Sequence, residues 1–508
     1  VSLCLASKRL RDVAQQVLHH EFVLGYGDSW RSASSSWDRR LTSFLRTVGR
    51  RPDLAVVVRR VSLHPKLLEA AELGDAVGVV ELRRMGRGLG LEIPDESRPP
   101  RYQGRHGELK QPPVIERWRP DLRPSRCAYR LGPRGRELRM RYVDAYTSAD
   151  SFRERHALGL EILAILIGTL PSVERLSVEQ TVVDYETPYL SALRSVAMKS
   201  RPRLLKTLDI ATHDYMLETM LQVPSQAAGI LELSKDTLQT LNLHMCNGFW
   251  TNPEHAPTFR SLKTLRLINS RLSAVELGVL LSCCTGGLTS FTYEAARSFH
   301  RPGNTSEFHP PEAIESLRVH VRTLRTLHLD LRQVVTDARV QPMLQASLVD
   351  FTALENIFLS VNMLWVEGSR GVTGEVVASP QLPQLLPANT TSLSIAGRHR
   401  FNNLQQLSAR LLGLARAVAE EGKLSRLRHV RCDSKFNRGL DDGLGPDICG
   451  IFQGAGVEFG LGCWPPSQTT ITSKDVPSPL GRGTDNLMLE DFDIEEYSRE
   501  EAERSTGG

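Results

Sequence analysis

The sequence has no Cys-x-x-Cys pair, few aromatic residues (6%), and a net charge of only +5 over 508 residues. Each shortage excludes something. Eight scattered cysteines, whose closest pair is Cys283–Cys284, make neither a disulfide framework nor a zinc site. They fit reduced thiols in a cytoplasmic or nuclear protein. So small a net charge does not call for nucleic acid as a partner. The longest apolar run, LGLEILAILIGTL at 158–170, is too short to cross a bilayer and carries Glu161, so it reads as a buried helix. No secretory signal is visible.

Catalytic signatures are missing as well. GRGLG at 86–90 lacks dinucleotide-loop spacing, and there is no phosphate-loop lysine, nucleophile elbow or His-Glu-x-x-His. His19, His20 and Glu21 are sequence neighbours that point apart, which suits capping of a helix C-terminus better than a metal. Asp441–Asp442–Gly443 is a turn without the spaced acids of a calcium loop. Neither an enzyme nor a bound cofactor or metal is expected.

What is present is a recurring string. It runs LPSVERLSV (170–178), LLKTLDI (204–210), LQTLNLH (238–244), LKTLRLIN (262–269), LTSFTY (288–293), LRTLHLDL (324–331), LENIFLS (354–360), TTSLSI (390–395) and LRHVRC (427–432). Most reduce to LxxLxL, whose last apolar pair alternates with one polar position, as in a short strand with one buried face. The strand centres Leu176, Leu208, Leu241, Leu265, Phe291, Leu327, Ile357, Leu393 and Val430 lie 24 to 37 residues apart. Helix-like stretches such as 273–284 and 404–421 separate them. This predicts an α/β leucine-rich repeat solenoid over 142–463, with a parallel strand and a helix per unit. The period is irregular and most units lack the repeat's Asn; LIN at 267–269 comes nearest. A generic α/β domain with Leu-rich strands is the alternative.

Stacked strands would align their outward middle residues in a row: Ser177, Asp209, Asn242, Arg266, Thr292, His328, Phe358, Ser394 and Arg431, flanked by His244, Thr264, Asp330, Asn356 and Ser360. Mixed in charge and rich in hydrogen-bonding groups, with Phe358 as an apolar anchor, the row suits a protein ligand better than DNA. The plainer reading of any one of them is a solvated strand residue. Of the groups an enzyme would need, only His328 and Asp330 come near each other there.

The flanking regions differ. Residues 25–91 read as a helical linker and N-terminal cap, with an amphipathic helix over 38–48 (Leu41, Phe44, Leu45, Val48) and a strand at the end of LAVVVRRVSL (54–63). Segment 92–141 is rich in Pro, Gly and Arg and carries a net +6. It is either a solvated insertion or a basic docking arm. Residues 464–508 are turn-rich, then strongly acidic, and read as a solubilising tail or a docking peptide.

The first 24 residues contain SLCLASKRLRDVAQQVLHHEF. Leu10, Val13, Ala14, Val17 and Leu18 form one helical stripe behind a Ser7 cap. Beginning at Val1 without Met, that stripe lacks its packing partner, so the expectation is a chain truncated at its N-terminus or an incomplete gene model. Leu3, Leu5, Ser7, Lys8, Arg9, Leu10, Arg11, Ala14 and Leu18 resemble the last helix of an F-box. HEFVLGYGDSWRSASSSWDRRLTSFLRTV, which follows, is similar to fungal F-box proteins of filamentous ascomycetes. The resemblance implies a substrate receptor of an SCF (Skp–cullin–F-box) ubiquitin ligase. Leu3, Leu5, Leu10, Val13 and Val17 would meet the Skp-type adaptor, and the repeat face a protein target. The family's leading "LPxEI"-like helix is absent here. A repeat scaffold or GTPase-activating-type regulator outside the ligase is the other reading.

Overall fold

The computed structural model describes residues 14–17, 19–23, 44–63, 84, 168–180, 204–212, 230–232, 234–244, 246, 256–295, 310–332, 347–361, 381–397, 404–433 and 444–462. Twelve strands make one sheet. They are β1 (Glu21–Val23), β2 (Arg60–Leu63), β3 (Arg175–Gln180), β4 (Thr207–Thr212), β5 (Thr240–His244), β6 (Thr264–Ser270), β7 (Ser290–Ala295), β8 (Thr326–Asp330), β9 (Asn356–Ser360), β10 (Ser392–Ala396), β11 (His429–Asp433) and β12 (Glu458–Gly462). Each pairs in parallel with the next in chain order. Parallel neighbours need a crossover. Helices α1 (Pro52–Ala55), α2 (Ala274–Ser282), α3 (Pro310–Leu317), α4 (Leu382–Leu385), α5 (Leu404–Ala419) and α6 (Leu444–Gly454) lie between strands.

The nine recurring strings become β3 to β11. LAVVVRRVSL ends in β2, as its β-branched residues imply, after a short α1. Two strands were not read from the sequence: β1, which starts at Glu21 directly after the helical residues His19 and His20, and β12, EFGLG. The sheet therefore begins at Glu21, well before residue 142. Most of the opening stripe, segment 92–141 and the tail from 464 lie outside the described residues. No helix among the described residues is long and apolar enough to cross a membrane.

The core is built from aligned columns. Leu205, Leu238, Leu262, Leu288, Leu324, Leu354 and Leu427 precede their strands and are buried. Leu208, Leu241, Leu265, Phe291, Leu327, Ile357, Leu393 and Val430 form the next column, in register and buried. Burying each such side chain contributes roughly 1.5–3 kcal/mol. Helices close the same core: α2 through Leu277, Leu280 and Leu281, and α5 through Leu407, Leu411 and Leu414 at helical spacing. A capping box starts α2, with Ser273 Oγ accepting from Glu276 N (3.3 Å) and Glu276 Oε2 accepting from Ser273 N (2.8 Å). Phe44, Leu45 and Val48 are buried in a helical stretch, and Phe44 stacks on Phe22 of β1 at 3.8 Å.

Polar intruders in the columns are all bonded. Thr390 replaces a leucine and donates to Pro387 O at 2.7 Å. Tyr293 stands where neighbours have Leu. Its hydroxyl donates to Ser270 O (3.1 Å) and accepts from Leu272 N (3.2 Å), holding the bend after β6. That bend is where Asn269 of the LIN string takes φ 49 and the β6–β7 register shifts. Cys283 and Cys284 are buried, and Cys284 Sγ donates to Leu280 O. Burial pushes both thiols up, so neither is a nucleophile.

Gly286 marks the tightest approach. A Cβ there would lie 2.1 Å from the Arg260 carbonyl oxygen, which is backbone and cannot yield. Gly422 has φ +64 and open space around it. In urea titrations, Gly286→Ala is expected to lose about 3 kcal/mol or more of unfolding free energy. Gly422→Ala is expected to lose only about 1 kcal/mol, the left-handed backbone cost.

Candidate functional site

The sheet face opposite the leucine columns carries the predicted row. Ser177, Asp209, Asn242, Arg266, Thr292, His328, Phe358, Ser394 and Arg431 are successive register partners from β3 to β11. His244 and Asp330 lie two residues on, toward the strands' carboxyl ends, and Thr264 and Asn356 two residues before. The structure thus brings the whole predicted set onto one face.

It does not expose them equally. Arg266 and Arg431 are exposed, and Asn242, His244, His328 and Ser394 are half-buried. Asp209, Thr292, Asp330 and Phe358 are buried. Phe358 was expected to stand out as an apolar anchor. Instead its ring is only 7% exposed, stacked on His328 at 3.9 Å and 5°, with the Arg332 guanidinium 5.9 Å from its centroid. An aromatic ring in a row of strands about 4.8 Å apart finds its neighbours before it finds solvent.

Two polar clusters organise the face. In the first, Asp209 Oδ2 accepts from Arg175 Nη2 (2.9 Å), Arg175 Nε (3.0 Å) and Ser177 Oγ (2.5 Å), while Oδ1 accepts from Asn242 Nδ2. One buried carboxylate so ties β3, β4 and β5 together. Charge-assisted bonds of this kind are the strong ones.

The second cluster spans β7 to β11. Arg332, just past β8, places Nη2 2.6 Å from Asp330 and Nη1 3.7 Å from Asp433 of β11. Between β8 and β11 the same row holds only Ser360 and Ala396, small enough for a long side chain to pass. Burial opposes the Arg332 charge, but the carboxylates of Asp330, Asp433 and Glu294 outweigh it and hold the group more firmly protonated than usual. Glu294 Oε1 lies 3.7 Å from His328 Nε2. Burial pushes His328 down to about 4; Arg332 and Arg266 add to that and Asp330 opposes it. The Glu294–His328 contact at neutral pH is therefore a carboxylate beside a neutral ring, not an ion pair. A general base works best with a pKa near the operating pH, so this imidazole is poorly tuned for proton transfer.

Glu294, Arg332, Asp433 and Arg175 were not singled out from sequence. The first and third sit two residues beyond Thr292 and Arg431, so strand alternation carried the signal. Arg332 lies in a loop, where no periodicity points to it. Of the five residues expected at an adaptor, only Val17 is described, and it is 72% exposed. Leu3, Leu5, Leu10 and Val13 lie outside the described residues. His19 is pushed down by burial, then by Arg51, which argues against a cationic cap there. Among the described residues, no group of three or more His, Cys, Asp and Glu is disposed to hold a metal ion.

Two outcomes follow from the clusters. Asp209→Ala leaves Arg175 and Asn242 without their shared acceptor and should cost about 3 kcal/mol in urea unfolding. For His328 the folded pKa is lowered, so its contribution is complete above pH 6.5 and is lost as pH falls toward 4. The His328→Gln variant isolates the imidazole. The stability gap between the two proteins should shift against wild type by about 2 kcal/mol from pH 7.5 to pH 5.

No family model matches the sequence, and no curated protein matches it either.

Proposed function

We propose that the sheet is that of a degenerate leucine-rich repeat solenoid and that the protein is a non-catalytic substrate receptor of an SCF-type ubiquitin ligase. The F-box-like end would bind a Skp-type adaptor and, through it, the cullin core. The row from Ser177 to Arg431 would bind a protein target in the cytoplasm or nucleus. The observation that carries the reading is the unbroken in-register row behind an F-box-like string. The eight parallel pairings from β3 to β11 align one middle side chain from each of nine strands, and such a row supports a role in recognition. Its exposed cations, Arg266 and Arg431, are separated by polar and aromatic groups and do not form the continuous basic track that a phosphate backbone wants.

Co-expression with a Skp-type adaptor tests this. The chain is produced as given, and again with any residues encoded upstream of Val1 restored. Adaptor retained by either form is the expected result, and Val17→Asp should lower its recovery. Arg266→Glu combined with Arg431→Glu should leave adaptor recovery unchanged while losing the target. No adaptor on either form overturns the ligase reading and leaves the repeat scaffold outside ubiquitination.

A further inference from the structure

The recognition row carries a charge bias that its mixed composition conceals. From β5 to β11 every described carboxylate on this face, Glu294, Asp330 and Asp433, is buried. Arg332 reaches two of the three. The two arginines of the middle row, Arg266 and Arg431, stand exposed. Their register neighbours, Asn242 and Thr292 for Arg266 and Ser394 and Gly460 for Arg431, are uncharged. An exposed acid on this face comes only one strand on, at Glu458 of β12, where His429 Nδ1 lies 3.0 Å from its carboxylate. Beside the arginines runs a second lane, two residues nearer the strand starts. Thr240, Thr264, Ser290, Thr326, Asn356 and Ser392 are successive register partners there. All six are small and polar, and none is fully buried.

Taking the row as the recognition surface proposed above, we infer that its ligand is an extended acidic segment of a partner protein. The segment lies across the strands, with one carboxylate on Arg266 and another on Arg431. Charge selects the sign. An arriving carboxylate meets each guanidinium without an exposed acid beside it, and the guanidinium forks onto it through two N–H groups. The lane selects the conformation. Hydroxyl and amide side chains both donate and accept, so they bond an extended backbone whose own groups are open. A helix satisfies its backbone internally and would leave the lane unused. Strand spacing sets the interval. β6 and β11 are five places apart in the sheet, about 24 Å at ~4.8 Å per strand. An extended chain covers that distance in about seven residues. Its side chains alternate, so acids roughly six or eight residues apart share the side that faces the arginines. A nucleic-acid strand would find two cations over that length, too few for its row of phosphates.

The full chain is panned against a phage library of random peptides about twelve residues long, and selected peptides are synthesised for fluorescence anisotropy. They should carry Asp or Glu pairs about six or eight residues apart. Arg266→Ala and Arg431→Ala should each weaken their binding about tenfold. Arg266→Glu should recover binding when one acid of the pair is changed to Lys. Basic or apolar selections, an empty selection, acids at no fixed interval, or acidic peptides indifferent to both arginine variants overturn the inference. So does equal binding of a single-stranded DNA oligonucleotide. Adaptor co-expression reads the ligase separately. Adaptor retained without acidic-peptide binding removes only the acidic ligand, and peptide binding without adaptor removes only the ligase reading.

Discussion

One backbone contact repeats along the sheet, and the rest depends on it. From β2 to β10 the carbonyl of the residue before each strand accepts two N–H groups from the next unit. Arg59 O takes Glu174 N and Arg175 N at 2.8 and 3.0 Å, Lys263 O takes Thr289 N and Ser290 N, and Thr391 O takes Arg428 N and His429 N. The same rung joins Glu174, Lys206, Gln239, Thr289, Arg325 and Glu355 to their successors. Buried backbone groups must find partners, and here the partner is always the same position one unit on. Loop lengths vary widely between units, yet the entry point of every strand is pinned. Threonines reinforce it: Thr289 and Thr391 donate through Oγ1 to the carbonyls their own amides use, at 2.9 and 3.0 Å.

A pinned entry fixes register, and register fixes which side chains meet. A one-residue slip would turn the leucine columns to the opposite face, so each unit is held by its core as well as its rung. The polar clusters on the other face are consequences. Asp209 reaches Arg175, Ser177 and Asn242 only because β3, β4 and β5 are aligned at those residues. Arg332 reaches Asp433 only because two small residues separate them along one row.

Legibility in the sequence followed the strength of the periodic signal. β3 to β11 were readable because Leu at fixed spacing recurs where a strand must bury one face. β1 and β12 were not, since EFV and EFGLG carry no leading Leu, and β1 joins the sheet through the carbonyl of His20, which accepts Arg59 N at 2.9 Å. The middle row was readable for the same reason as the columns. Its burial was not, because a strand pattern tells which face a residue takes but not how far its neighbours cover it. Phe358 was the costliest misreading: the row already set His328 beside it, but the ring stacking and the Arg332 guanidinium arriving from a loop cover it, and no periodicity marks Arg332.

The two clusters also constrain what the face can do. Asp209 is enclosed by donors and the Arg332 guanidinium by carboxylates, so both charges are spent on holding strands together. His328 on the same face is half-buried, and desolvation keeps it neutral down to about pH 4. A face whose titratable groups are locked in this way offers shape and fixed hydrogen-bonding groups, with Arg266 and Arg431 as its exposed charges. Rigid, preorganised surfaces lose less entropy when a partner arrives, which fits the proposed receptor role. The same rigidity makes the face intolerant: removing a charge from either cluster strands its partner inside the sheet, so variation for specificity is cheapest at the exposed arginines and at the half-buried Asn242, His244 and Ser394.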